Sequence, residues 1–541
     1  MVNMAGEQRK SGSAVLAVLA GAQFLMVLDT SVMNVNIADV AKDINSTVTG
    51  IQGAITAFAL VMAALMLTGG TLGLRWGRKP AFRVGLVIYG LGSLMTSLSQ
   101  SLPTLMFGWS LFEGAGSALI LPAIVALVAA NFEPAKRPAT YGAIAAAGAI
   151  GVAVGPLIGG AVATLFSWRL VFLSESIIVV VLLFLLRTVH DSPPGPKQPF
   201  DVVGALGSVV GLGVTVMAIL RSAEWGWVQP RADAPSVFGV AATIPLILSG
   251  LLLIAALLAY ENRRERSGRT ALISMELLRI EQLRSSLTVF SFQFAVQSGV
   301  FFVVPLFLTV VIGLSPFATG VRLFPLSVAL LLTAALVPRL LPKASPRRVV
   351  TVGISCMALA AALLVTFILP TAAAGVVLIP MALMGLGIGL ISTQLGAVTV
   401  SSAPDDRSSE VGGLQNTATN LGYSIGTAIA GSVLIVVLTS ASLLAVNENT
   451  KLSNQAKQAA QVQLAKGAPF ISDAQLEAGF QKAGIPRAEA QATVEGYSAG
   501  RIRALRWALL SVLIMSLGGL VVARKLPTTP AAELAAGATV P

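Results

Sequence analysis

The chain holds one cysteine and one histidine in 541 residues, and only 11% of its residues are charged. A lone Cys356 cannot form an intramolecular disulfide, so no redox compartment is encoded; it reads as a small buried hydrophobe. His190 has no Cys or His companions to complete a metal site, and no serine-nucleophile motif stands near it, so no enzyme of known type is indicated. The phosphate loop G-x-x-x-x-G-K-[ST] is absent, which excludes an ATPase engine within the chain. GLGIGL at 385–390 looks like a nucleotide fingerprint, but it lies inside an apolar run with no preceding strand, and close helix packing explains it. Neither a cofactor nor a metal is expected. The shortage of charge also excludes a soluble globular chain.

What the chain has in abundance is apolar sequence: 55% of it is hydrophobic and the mean hydropathy is +0.83. A spanning helix needs about 20 mostly apolar residues. Fourteen such runs are read at roughly 14–37, 50–70, 81–100, 103–129, 138–164, 168–187, 201–221, 236–259, 286–311, 316–341, 348–369, 374–402, 411–440 and 504–525. The expectation is an all-α polytopic membrane protein with 14 transmembrane helices. RKSGSAVLAVLAGAQ near the start has the outline of a signal peptide, yet the apolar sequence continues to a full span, so it is expected to stay as helix 1.

Lys and Arg set orientation. With the N-terminus inside, 23 of the 36 cations fall on inner segments and 4 in short outer loops. Both termini are therefore expected in the cytoplasm of a cell (plasma or inner) membrane. The same bias accounts for most of the +12 net charge without any nucleic-acid partner.

The runs repeat a plan. Runs 2 and 3 are joined by GGTLGLRWGRKP, residues 69–80, and runs 10 and 11 by VPRLLPKASPRRVV, residues 337–350. Run 5 carries Gly151, Gly155 and Gly159, and run 13 carries Gly422, Gly426 and Ala430, each a smooth strip for close helix approach. This suggests a six-helix half at 1–190, two inserted helices and a connector at 191–285, a second six-helix half at 286–525, and a tail at 526–541.

GAIAAAGAIGVAVGPLIGG, residues 142–160, fits G-x8-G-x3-GP-x2-GG through Gly142, Gly151, Gly155, Pro156, Gly159 and Gly160. That pattern resembles the antiporter motif of the major facilitator superfamily. LDTSVMNVNI at 28–37, SWRLVFLSE at 167–175 and EWGW at 224–227 are similar to stretches of its fourteen-helix drug:proton antiporter subfamily. The resemblance implies a multidrug efflux carrier driven by the proton gradient. It also implies that residues 69–80 are the cytoplasmic gate motif, with Gly70, Arg75, Gly77, Arg78 and Lys79 in place. The acid that the family carries in this motif is Leu74 here, so the latch between the halves is expected to rest on other contacts. A second departure is FGWSLFEGAGSALILP, residues 107–122, where the family arginine is Ser110 and the family glutamine is Glu113.

Carboxylates inside spans are functional markers, because an ionised one costs roughly 2.5–3.5 kcal/mol on insertion scales. Asp29, Glu113 and Glu175 fall within runs 1, 4 and 6. Burial disfavours their charged forms and a bound cation favours them, an opposition that can exchange a proton for a cationic substrate. At helical spacing, Met26, Met33 and Asn36 flank Asp29, and Trp109 flanks Glu113, a ring beside a carboxylate that suits lipophilic cations. Gln293, Gln297, Gln394 and Asn416 are expected on the opposite wall. Pro156 is expected to bend run 5, and its glycine strip to pack against the other half.

The outer stretch 441–502 reads as two or three short helices, a solvated linker, a lid or a docking site for an envelope partner. The inner stretch ENRRERSGR, 261–269, reads as a charged interfacial connector. Together these features point to a carrier exporting lipophilic, cationic small molecules in exchange for protons. A dedicated exporter of an endogenous lipid or metabolite is the alternative, and a membrane receptor or scaffold a remote one.

Overall fold

The computed structural model describes residues 2–132, 137–191, 201–230, 234–269, 274–341, 344–369, 372–403, 408–450, 452–464 and 467–529. Lys343 and the side chains of Leu74, Glu224 and Arg339 lie outside the described residues. Among the described residues the architecture is all helical apart from one two-stranded hairpin, Ser236–Val237 with Val240–Ala241.

A first group comprises α1 (Val2–Val35), α2 (Ile37–Asp43), α3 (Val48–Trp76), α4 (Arg78–Ser97), α5 (Leu102–Leu105), α6 (Gly114–Asn131), α7 (Arg137–Leu165) and α8 (Arg169–Leu185). A π-helical stretch, Met106–Glu113, joins α5 to α6. Next come α9 (Val202–Trp225) and α10 (Thr243–Arg266), which pack on each other, and the short α11 (Met275–Arg279). The second group comprises α12 (Glu281–Leu306), α13 (Pro316–Leu340), α14 (Pro346–Phe367), α15 (Leu378–Val400), α16 (Ser408–Glu448), α17 (Asn454–Leu464), α18 (Asp473–Lys482) and α19 (Arg487–Ala523).

Local chemistry starts several of these helices. Thr47 accepts from Gly50 N at 3.0 Å at the head of α3. Ser315–Pro316 and Ser345–Pro346 open α13 and α14 alike, the serine capping a free N–H and the proline occupying a position that needs none. Leucines such as Leu248, Leu251 and Leu252 on α10 point outward, where a lipid phase rather than water accepts them.

Among the described residues, twelve helices are long and apolar enough to cross a membrane, and α7 makes thirteen if its two bent pieces form one span. The run left over, 81–100, falls on the 20-residue α4, which carries Arg78, Lys79 and Arg83 in its first turns and does not meet that measure. The pieces of α7, Ala146–Val152 and Val154–Leu165, meet at 42°. Pro156 causes the bend, because its ring clashes with the carbonyl one turn back, at Val152.

The glycine strips act differently from the sequence expectation. Gly151, Gly155 and Gly159 lie against Phe24, Val27, Ser31 and Val32 of α1, inside their own half. Gly422 and Gly426 of α16 lie in the same way against Ser291 and Ala295 of α12. Contact with the other half falls to the end of α7: a Cβ on Gly160 would strike the Pro316–Phe317 backbone, and one on Gly320 the backbone at Pro156. The reason is angular, since residues spaced by four keep one helix face, and Gly160 stands one position, about 100°, away from Gly159.

A second seam joins the groups through α3 and α16. Gln52 Nε2 donates to Thr427 O at 3.0 Å, and Ser424 Oγ donates to Thr56 O at 3.2 Å. Between α1 and α16, Asn34 Nδ2 donates to Tyr423 OH at 2.7 Å.

The stretch 441–502 holds short helices, as its sequence suggested, between two long ones. α16 and α19 run on into it as a close pair, with Gly496 and Gly500 against Ala445 and Ala441, and among the described residues α17 and α18 are the separate short helices. Buried Arg501 holds the intervening chain, donating to Ile471 O at 2.6 Å and pairing with Asp473 at 3.1 Å, while Tyr497 OH donates to Pro469 O at 2.6 Å. The 261–269 stretch is likewise mostly helix: α10 continues to Arg266, and Arg264 pairs with Asp201 at 3.0 Å.

Candidate functional site

Asp29, Glu113 and Glu175 come from three separate helical segments, and the fold brings them together. Each is fully buried, and one oxygen from each lies within 4.8 Å of the other two. The cluster sits inside the N-terminal half, between α1, α4, the π-helical stretch and α8 rather than between the halves.

Each acid is half satisfied. Trp109 Nε1 donates to Asp29 Oδ1 at 2.8 Å, and Thr96 Oγ1 donates to Glu113 Oε1 at 2.8 Å. Glu175 Oε2 accepts from Tyr89 OH and from Ser93 Oγ, both at 3.2 Å. The remaining oxygens, Asp29 Oδ2, Glu113 Oε2 and Glu175 Oε1, are buried and have no hydrogen-bond partner. Tyr89, Ser93 and Thr96 escaped the sequence reading, although their spacing places them on one face of α4, a polar stripe in an apolar run.

The π-helical turn decides where Trp109 points. Its wider hydrogen-bond spacing breaks the three-four-seven rule on which pairing Trp109 with Glu113 relied. The indole instead bonds Asp29, and its face stacks on Phe58 with centroids 4.8 Å apart and planes 7° from parallel. Gly92 and Gly108 make room for this seating, since a Cβ on Gly92 would lie 2.8 Å from Glu113 Cγ and one on Gly108 would lie 2.9 Å from Thr96 N. Ser110, at the family arginine's position, donates to Ala54 O at 2.8 Å and ties the turn to α3.

The other predicted residues are placed as follows. Met26 and Met33 are buried in two different apolar clusters. Asn36 donates to Val32 O and Gly159 O, joining α1 to α7. Gln293 and Gln297 on α12 and Gln394 on α15 are buried in the second half, each with an unpartnered carboxamide oxygen. Asn416 is partly exposed on α16, and its carbonyl accepts from Asn420. A small apolar cavity lies on the seam between the halves, lined by Ser31, Asn34, Pro156, Phe301, Leu323 and Ser327 among others. A wider cavity of mixed lining opens beside α2, where Asp39, Lys42 and Thr47 face Ser472 and Gln475 of the 441–502 stretch. Burial pushes the Asp39 carboxyl up, and Lys42 pulls it partly back.

The acid cluster is the one group of His, Cys, Asp or Glu side chains among the described residues with ligand atoms close enough to hold a metal ion. Its three oxygens fall short of the six to eight that Ca²⁺ takes. Three charges so placed repel strongly: at 4.8 Å each pair costs about 3.5 kcal/mol for an effective dielectric constant of about 20. Protons or a cation must relieve that repulsion.

The sequence model of the Major Facilitator Superfamily matches residues 19–427. The chain belongs to that superfamily. It is a multi-span membrane transporter, not an enzyme, and several of its relatives carry the names of antibiotic and drug transporters. The carrier is 29% identical over 446 residues to a protein named "Probable actinorhodin transporter" from Streptomyces coelicolor, covering 80% of this chain and 74% of that one. It is 26% identical to a "Methylenomycin A resistance protein" from Bacillus subtilis, covering 78% and 88%. It is 26% identical to "Multidrug resistance protein Stp" from Mycobacterium tuberculosis, covering 77% and 75%. Among solved structures, a bacterial homologue of the lysosomal transporter Spinster matches with a TM-score of 0.61 at 16% identity, over 95% of this chain and 98% of that one. A POT peptide transporter matches with 0.60 at 14% identity, over 96% and 99%. At those identities the likeness concerns the fold alone.

Proposed function

We propose that this carrier exports lipophilic cations in exchange for protons by alternating access. In this reading it crosses the inner membrane fourteen times with both termini in the cytoplasm, counting α4 and the bent α7 as spans. The observation that carries the proposal is the buried cluster of Asp29, Glu113 and Glu175, with one unpartnered oxygen on each. A site of this kind stores protons while empty and releases them to a cation or to a changed environment. The same helix links it to the seam between the halves: five residues after Asp29, Asn34 donates to Tyr423 of the opposite half. A change of charge at the cluster therefore acts on a helix that also holds the halves together. The names of the relatives support drug or antibiotic cargo. The "Probable actinorhodin transporter" favours a second reading, in which the carrier is dedicated to one compound.

The test is transport in energised inverted vesicles. Substrate-evoked proton movement is expected with the parent chain. Asp29→Asn keeps shape but cannot titrate, and it is expected to insert normally and to lose uphill export of ethidium, a lipophilic cation. Undiminished uphill export by that variant refutes the assignment. A broad efflux screen in a pump-deficient host then separates multidrug from dedicated export.

A further inference from the structure

The turn between α3 and α4 raises a capping problem. α4 begins at Arg78 with free backbone N–H groups, and the residue before it, Gly77, has no side chain to offer. The partner comes from 112 residues further on. Asp191, in the chain beyond α8, accepts from Lys79 N through Oδ1 at 2.9 Å, and Lys79 Nζ donates to Val189 O at 2.6 Å. Gly77 is suited to this in two ways: its φ of +99° favours glycine, and a Cβ there would lie 2.8 Å from Asp191 Oδ2. Arg78 lies in the field of the same carboxylate.

The 189–191 segment is itself held from another side. Asn131, at the end of α6, donates through Nδ2 to His190 O at 2.9 Å and accepts from His190 N at 2.8 Å. The second half repeats the construction. Arg347, in the first turn of α14, donates from Nε to Leu526 O at 2.8 Å and from N to Pro527 O at 3.2 Å, where the chain leaves α19. Each half thus fastens its basic turn to the chain leaving its own last helix. Among the described residues only the first half uses an acid, and that half has Leu74 where the gate motif has one.

From this geometry we infer that Asp191 is a positioning residue of the gate: it supplies the turn at 77–79 with the carboxylate that position 74 lacks and makes that turn move as one body with α6 and α8. The inference rests on the alternating-access reading for its consequence, but its geometric part is testable without any cargo.

The experiment compares the full-length chain with Asp191→Ala and Asp191→Asn in nanodiscs, by hydrogen exchange of peptides covering residues 77–83 and by ethidium export. Loss of a cap of this kind speeds exchange in the first turn of α4 by about two- to thirtyfold. Asp191→Ala is expected to show that change and an altered kcat for export at unchanged KM. Asp191→Asn, which keeps the acceptor oxygen but not the charge, is expected to restore exchange but not kcat. Exchange equal to the parent in Asp191→Ala overturns the inference. Faster exchange with unchanged kcat overturns the gate role, leaving a helix cap. If the parent chain exports no ethidium, the exchange result still stands or falls alone, and only the cargo reading is lost.

Discussion

Gly160→Ala should move the balance between the two states of the carrier. In this structure a Cβ at position 160 would lie 2.5 Å from Pro316 O, 2.7 Å from Pro316 C and 2.9 Å from Phe317 N. All three are backbone atoms, so no side chain can swing aside. Sliding α13 along α7 is blocked too, because Gly320 already rests on the backbone of Pro156 and Leu157. The two helices must part at that end. Overpacking of this kind costs about 1–3 kcal/mol. In the alternating-access reading proposed above, the α7–α13 contact belongs to the state in which this end is closed, so the cost falls on that state alone. With 1.4 kcal/mol per tenfold, the equilibrium shifts towards opening at this end by about five- to 150-fold. The assay is a pair of spin labels at exposed Phe166 and Phe317 in a Cys356→Ser background, which is free of other thiols. A longer-distance population is expected to grow in Gly160→Ala. Gly213→Ala on α9 meets nothing within 4 Å and should leave the distances unchanged. Superimposable distributions for parent and Gly160→Ala would refute the reasoning.

Other consequences follow from single contacts. Tyr423→Phe removes the acceptor of Asn34 Nδ2 across the seam, while Thr30 O at 2.7 Å still holds that amide; a net loss of about 1 kcal/mol should shift the same labels about fivefold in the same direction. Trp109→Phe deletes the donor to buried Asp29 Oδ1 and leaves a small cavity, and should change the pH profile of export and lower the thermal midpoint; a pH profile identical to the parent's would refute the role given to this bond. Arg501→Ala removes both ties to Ile471 and Asp473 and should expose the 468–473 chain to limited proteolysis, with digestion at the parent's rate refuting that anchor. Leu74→Asp places an acid on the gate turn and should shift the resting population by less than tenfold, since partly exposed ion pairs contribute about 0–1 kcal/mol; labels on the two halves at the gate end read it.

The sequence by itself determined the class of this protein and singled out the intramembrane acids as candidates. Apolar runs of spanning length cannot be hidden, because every backbone group in lipid must be satisfied within a helix. The motif at 142–160 named the superfamily, and buried carboxylates announce themselves because they are costly. The tertiary structure decided which of these residues meet. Asp29, Glu113 and Glu175 lie 62 or more positions apart in the chain, and their convergence depends on the packing of α1, α4 and α8. The π-helical turn changed which acid Trp109 serves, an effect that helical spacing cannot anticipate because it assumes an unbroken period. The side on which the α7 glycines pack was likewise undetermined, since a smooth strip accepts any helix, and only the fold assigned it to α1. Asp191 was invisible for the same reason: an acid after a span reads as solvated until another helix brings its free N–H against it.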